Sequence, residues 1–239
     1  MELHLSDGGR VRVRGQIDRI DVADTAGAAR LLVYDYKSRV DWAARPWLTG
    51  SRLQLFLYLL ALGDARAAQT IRLCKSENRD DVQLAGGLLA PLYPGLKALE
   101  PQYAAQAAAD EQLMYLYRPR GLVSDDAAVL LDTQLGNQPS PVANLRLKKN
   151  GGFYEKCDAR PAAALAGRLD LAAETVRFAA AGVCAGRIEI APLVEGNRRA
   201  CLDCDFSAVC RFDPAYHPGR AVETTLPRLA EADVTGDDA

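Results

Sequence analysis

The chain has 239 residues, 49% hydrophobic and 25% charged, with 29 basic against 31 acidic side chains. This is ordinary globular composition with ample material for a core, and it excludes a disordered tail protein, a collagen-like repeat and a membrane protein; the longest apolar run, residues 55–62, is far too short to span a bilayer. A formal net charge of −2 argues against wholesale coating of nucleic acid but leaves room for a local basic groove.

Met1 leads directly into Glu2-Leu3-His4-Leu5 with no secretory signal, so a cytoplasmic location is expected. The abrupt opening on strand-like sequence suggests a fragment of a longer polypeptide. Residues 10–22 alternate: Val11, Val13, Gly15 and Ile17 share one parity, and Arg10, Arg12, Arg14, Gln16 and Asp18 the other. Period two predicts one half-buried strand. Residues 24–27 are turn chemistry, and residues 31–37 predict a second strand, so the two form a hairpin. Residues 51–62 read as a helix stopped by Gly63. Residues 67–74 predict a strand. Residues 75–100, with Pro91, Pro94 and several glycines, read as irregular, and residues 102–118 fit helix or strand equally. A short helix is expected over 124–133, capped by Ser124 with acids in its first turn. Residues 161–181 predict a helix with Pro161 near its start, an apolar stripe of Leu165, Leu169, Ala172 and Val176, and Gly182 as its stop. Residues 187–190 predict a short strand. The last eleven residues hold four acids and no base, so 216–239 is expected to be a disordered acidic tail behind a domain at 1–215.

Two groups of residues carry chemistry. Asp35 and Lys37 are two apart on one strand and so face the same way. If the neighbouring strand pairs with it, Asp18 brings a second carboxylate to the same spot. Two hard oxygen ligands suit Mg²⁺ or Mn²⁺, and a lysine beside them can orient a water and stabilise charge on phosphorus. Gln54 and Tyr58 are i, i+4 on one helix face, and an amide inside so apolar a helix needs partners. The second group is Cys201, Cys204 and Cys210, a C-x2-C-x5-C array that asks for a metal or cluster. Three thiolates are one short of four. Zinc could add His217 or Cys184, and an iron–sulfur cluster is equally compatible with the spacing. Cys74, Cys157 and Cys184 read as small buried hydrophobes.

The segments Gly15-Gln16-Ile17-Asp18-Arg19-Ile20-Asp21, Asp35-Tyr36-Lys37-Ser38 and Gln54 to Tyr58, in this order, resemble the PD-(D/E)XK nuclease superfamily in its RecB-like branch. The cysteine triplet followed by Arg211-Phe212-Asp213, the 186–192 segment, residues 120–125 and Leu147-Lys148-Lys149 resemble the C-terminal nuclease domains of AddB proteins, from bacterial AddAB-type helicase–nucleases. The resemblance implies an α/β (α+β) fold: a restriction-endonuclease-like mixed central sheet flanked by helices, with a C-terminal cysteine-rich cluster-binding segment. It implies that Asp18, Asp35 and the Tyr36 carbonyl hold Mg²⁺ or Mn²⁺, that Lys37 is catalytic, and that Gln54 and Tyr58 touch the active site or DNA. It further implies a Mg-dependent deoxyribonuclease, an exonuclease acting on single-stranded ends beside an AddA-type helicase partner, in double-strand-break repair by recombination. Arg10, Arg12, Arg14, Arg19, Arg39 and Arg52 are the candidate phosphate contacts. In that family the triplet belongs to a 4Fe-4S cluster whose first cysteine precedes the strand bearing Asp18. No cysteine precedes Asp18 here, so an incomplete cluster is expected. The alternatives are a non-catalytic DNA-binding module and a stand-alone CRISPR-adaptation-type iron–sulfur exonuclease.

Overall fold

The computed structural model describes residues 1–24, 29–38, 53–64, 82–92, 114–195, 198–199, 201 and 204–221. Strands β1 (Glu2–His4) and β2 (Arg10–Arg12) form a small antiparallel hairpin with Leu3 opposite Val11. Its turn uses Gly8 at φ 85° and the Asp7 carboxylate, which accepts a 2.8 Å hydrogen bond from the Gly9 N–H. The chain then leaves this ribbon, and β3 (Arg19–Asp24) joins a different sheet. The single strand expected over 10–22 is therefore two. Alternation survives the break, because Val11, Val13 and Ile17 stay half-buried while Arg10, Arg12, Arg14 and Asp18 are exposed. A period-two pattern reports which face is buried and carries no information about the pairing partner.

The main sheet has the order β3-β4-β5-β6-β7 among the described residues, with β4 (Ala29–Lys37), β5 (Val82–Pro91), β6 (Arg120–Ser124) and β7 (Ala159–Arg160). β3 and β4 are antiparallel, as the hairpin reading expected; β4 and β5 are parallel, β5 and β6 antiparallel, β6 and β7 parallel. Helices α1 (Gln54–Gly63), α2 (Asp125–Leu131) and α3 (Ala162–Cys184) accompany it. This is the expected mixed sheet flanked by helices. β4 is buried on both faces: Leu31 and Val33 pack with Leu55, Phe56, Leu59, Leu62 and Leu165, while Leu32 and Tyr34 pack with Leu88, Val123, Ala127, Ala128 and Leu145. A strand covered on two sides reads as a continuous apolar run, as residues 31–34 do.

β5 corrects the irregular reading of residues 75–100. Its glycines serve the strand. Between Leu31 and Leu32 the register with β5 slips from Leu84 to Gly86, leaving Ala85 as an extra residue. Gly86 sits at φ 133°, and a Cβ there would stand 2.2 Å from the Leu122 carbonyl oxygen. A Cβ on Gly87 would lie 2.7 Å from a Leu55 methyl, so its absence lets α1 settle close onto the sheet. Pro91 is the last residue of the strand.

The helix expected at 161–181 runs from Ala162 to Cys184, through Gly182. The stop is Gly186 at φ 67°: its N–H bonds the Val183 carbonyl and the Arg187 N–H bonds the Gly182 carbonyl, each at 3.0 Å, which closes the helix end. Residues 187–190 form no strand. A second small sheet, order β10-β8-β9, lies further on, from β8 (Leu193–Glu195), β9 (Arg198–Arg199) and β10 (Arg220–Ala221), with a short helix α4 (Ser207–Cys210) between. Residues 114–117 are helical. The strand expected at 67–74, most of the 102–118 segment and the tail beyond 221 lie outside the described residues. No helix among the described residues is long and apolar enough to cross a membrane.

Candidate active site

The site forms where β4 ends. Asp35 is 2% exposed, beneath the helix that packs on its face of the sheet. Lys37, two residues on, faces the same way. The antiparallel register places Arg19 opposite Tyr34, so Asp18 comes opposite Asp35 one step further. The Asp18 carboxylate is held against β4 by a 2.9 Å hydrogen bond donated by the Tyr36 N–H.

Helix α1 supplies the other wall. Gln54 is its first residue and is exposed, which corrects the expectation of a buried amide. Its partners are nonetheless complete. Lys37 Nζ donates to Gln54 Oε1 at 2.6 Å, and Gln54 Nε2 donates to Tyr58 Oη at 2.7 Å and, more loosely, to Asp35 Oδ1 at 3.4 Å. The ammonium on one side and two oxygens on the other set the amide orientation. Lys37 Nζ also stands 2.7 Å from Asp35 Oδ2. That contact is an ion pair without hydrogen-bond alignment, and Asp35 Oδ2 is buried with no hydrogen-bond partner. Asp35, Lys37, Gln54 and Tyr58 thus form one connected chain of polar groups, with Asp18 across from Asp35. Gly15 completes the wall: a Cβ there would come within 3.4 Å of the Tyr58 ring.

A buried carboxylate oxygen lacking a donor is costly, and a second carboxylate on the next strand adds to the negative charge. Both features fit a divalent cation with oxygen ligands. Among the described residues no group of three or more His, Cys, Asp or Glu side chains is arranged to hold a metal ion. Asp18 and Asp35 are two, so a cation here would draw further ligands from backbone, water or substrate.

Arg19 is not brought to this cluster. Strand alternation puts it on the other face of the sheet from Asp18 and Asp35. There it makes a two-pronged pair with Asp21, at 2.7 and 2.8 Å, and lies 4.8 Å over the Tyr34 ring. Its charge is held beyond the usual arginine range, chiefly by the Asp21 hydrogen bond. Asp21 was missed as a partner, although the i, i+2 spacing on one strand could have revealed it. Arg10 and Arg12 flank Glu2 as exposed ion pairs at 3.2 and 3.9 Å. Arg39 and Arg52 lie outside the described residues. A buried polar node also went unread: Asp158 accepts from Arg120, from the Gly121 N–H at 2.9 Å and from Asn144 at 3.0 Å, anchoring the 132–158 segment to β6. No local sequence signal marks it.

Cys201, Cys204 and Cys210 are partly exposed free thiols on the segment leading into and through α4. Cys157 is buried as expected, and burial pushes its thiol pKa up. Cys184 is exposed at the end of α3, against expectation, and Cys74 lies outside the described residues. His217 Nδ1 accepts a 3.0 Å hydrogen bond from the Asp213 N–H. In that arrangement a neutral ring carries its proton on Nε2, so neither nitrogen offers a lone pair to zinc.

A family model described as the PD-(D/E)XK nuclease superfamily matches residues 1–211. Among curated proteins, the chain is similar to the AddB-type ATP-dependent helicase/deoxyribonuclease protein of Desulforudis audaxviator, 34% identical over 219 residues, covering 90% of this chain and 18% of that protein. The proteins of the same name from Moorella thermoacetica and Symbiobacterium thermophilum are 33% and 32% identical, again over 18% of their length. The chain therefore spans under a fifth of the relatives it matches.

Proposed function

Because this chain belongs to the PD-(D/E)XK nuclease superfamily, we propose that its residues 1–215 act as a Mg²⁺- or Mn²⁺-dependent deoxyribonuclease domain that hydrolyses phosphodiesters at single-stranded ends. The observation that carries this is the buried Asp35 carboxylate, with one oxygen lacking a donor, joined to Lys37 and Gln54 and faced by Asp18.

Asp18 and Asp35, with the Tyr36 carbonyl, would hold the cation. When bound, it supplies positive charge that polarises a phosphoryl oxygen and eases deprotonation of water. The chain's own groups do the rest. Lys37 presents its ammonium at the mouth of the site, where it orients the attacking water and offsets charge gathering on phosphorus. Gln54 holds Lys37 through a 2.6 Å bond, and Tyr58 holds Gln54 in turn. The ammonium is thereby positioned before substrate arrives, and its ordering costs little at the moment of reaction.

The names of the relatives support a place in a helicase–nuclease complex, with an AddA-type helicase as partner, in cytoplasmic repair of double-strand breaks by recombination. They favour this over a stand-alone CRISPR-adaptation exonuclease. The direct test is cleavage of end-labelled single-stranded DNA with and without Mg²⁺. Release of short products only with the cation is expected, and binding without cleavage would leave a DNA-gripping module instead.

The cysteine triplet belongs to the same proposal as ligands of a 4Fe-4S cluster. The engaged Nδ1 of His217 supports iron over a zinc site completed by that histidine. Anaerobically purified protein is expected to be brown and to contain iron by mass spectrometry. Its colour should fade quickly in air if only three thiolates hold the cluster. A colourless protein with about one zinc per chain would assign the triplet to zinc.

A further inference from the structure

Across the sheet, Asp35 on β4 is in register with Leu89 on β5, and Leu89 with Arg120 on β6. The rim that carries Asp35 and Lys37 therefore continues to the start of β6, two strands away, about 10 Å at the usual strand spacing. On that rim Arg118 borders a cavity of about 520 Å³, also lined by Arg146, Lys148, Tyr154, Glu155 and Lys156. Four cations meet one carboxylate, and among the described residues none of the four is ion-paired.

The aromatic component is equally specific. Tyr154 is 40% exposed. The Arg146 guanidinium lies 4.8 Å from its ring centroid and the Lys148 ammonium 6.0 Å. At the back of the cavity Arg118 donates to the Ser140 carbonyl and to Asn144, and lies 4.9 Å over Tyr115. Burial and the neighbouring Arg120 both disfavour its charge, so the local field is positive and an anion would relieve it. A ring bordered by unpaired cations matches a nucleotide, which offers a π-face and a phosphate together. An acidic peptide would use the cations and leave the ring idle.

The geometry points to a second DNA subsite: the pocket takes a phosphate of the single strand on Arg146, Lys148 and Lys156 and stacks a base on Tyr154. It lies on the order of three nucleotides from the scissile bond, at about 3.4 Å of rise per nucleotide. This inference rests on the nuclease reading for its distance from the cut. Its test does not, because binding is measured without divalent metal.

The experiment is fluorescence anisotropy of a labelled single-stranded oligonucleotide in EDTA, over a series of salt concentrations, with the full chain. Lys148→Ala/Lys156→Ala should weaken binding about tenfold and reduce the slope of log affinity against log salt by about 1 to 2. Tyr154→Leu should weaken binding about tenfold with the slope unchanged, as loss of stacking does. Removing the same charge from α3 and its end, in Arg177→Ala/Arg187→Ala, should change neither. Equal losses in the pocket and control variants would reduce the effect to general surface charge and overturn the subsite. Unaltered binding in Tyr154→Leu would overturn the stacked base, and equal competition by a polyaspartate of matched charge would overturn recognition of DNA. Circular dichroism of each variant separates these outcomes from misfolding.

Discussion

Lys37→Ala should lower the rate of DNA cleavage by at least ~10²–10³, the scale of removing one preorganised electrostatic group from a reacting centre. The side chain is about a third exposed at the end of β4, so its loss opens no core cavity. It does leave the Asp35 carboxylate without its ammonium at 2.7 Å and Gln54 without its donor at 2.6 Å. Some stability should therefore be lost with the ion pair. Lys37→Gln separates the two effects. It retains a hydrogen-bond donor on a shorter arm and removes the charge. A Lys37→Gln protein with a native circular dichroism spectrum and near-native melting temperature should still fail to cleave. Full activity in that protein would take the catalytic role away from Lys37.

Asp35→Asn should act in opposite directions on activity and on stability. Removing the charge of one of two carboxylates should raise the Mg²⁺ concentration for half-maximal cleavage by more than the ~10–100-fold that loss of an outer-shell partner costs a metal site. The fold without metal should tolerate the change. A buried carboxylate with one oxygen lacking a donor is expensive, whereas an amide of the same shape carries no charge to desolvate. In EDTA the melting temperature of Asp35→Asn should match or exceed that of the native protein, and added Mg²⁺ should raise it less than it raises the native protein. A large drop in metal-free stability, with an unchanged Mg²⁺ titration, would make Asp35 a structural residue and move the cation elsewhere. Asp18→Asn is a milder case, because that carboxylate is exposed and is held by one backbone N–H.

The catalytic row was legible because its geometry is local. Asp35 and Lys37 share a strand face, and Gln54 and Tyr58 share a helix face, so spacing alone predicts that each pair converges. The β3–β4 hairpin was legible for the same reason, its two strands being adjacent in the chain. Long-range placement was not. β5 lies beside β4 only after a parallel crossover, and the glycines that make it possible read locally as breakers. Their reason is the Leu122 carbonyl and the Leu55 side chain, 36 and 32 residues away in sequence. The face to which Arg19 turns depended on register, since a shift of one residue exchanges the two sides of a strand. The pocket around Tyr154 gathers Arg118 with residues 139–157 through the buried Asp158 node, and no periodicity encodes that contact. The sequence by itself determined the polar groups that the ends of β4 and α1 present, because neighbouring backbone geometry dictates where they point. Only the tertiary structure decided that Asp35 is buried with an unpartnered oxygen and that a cationic pocket shares its rim, because burial and unpaired charge are properties of surfaces that meet only when distant segments pack.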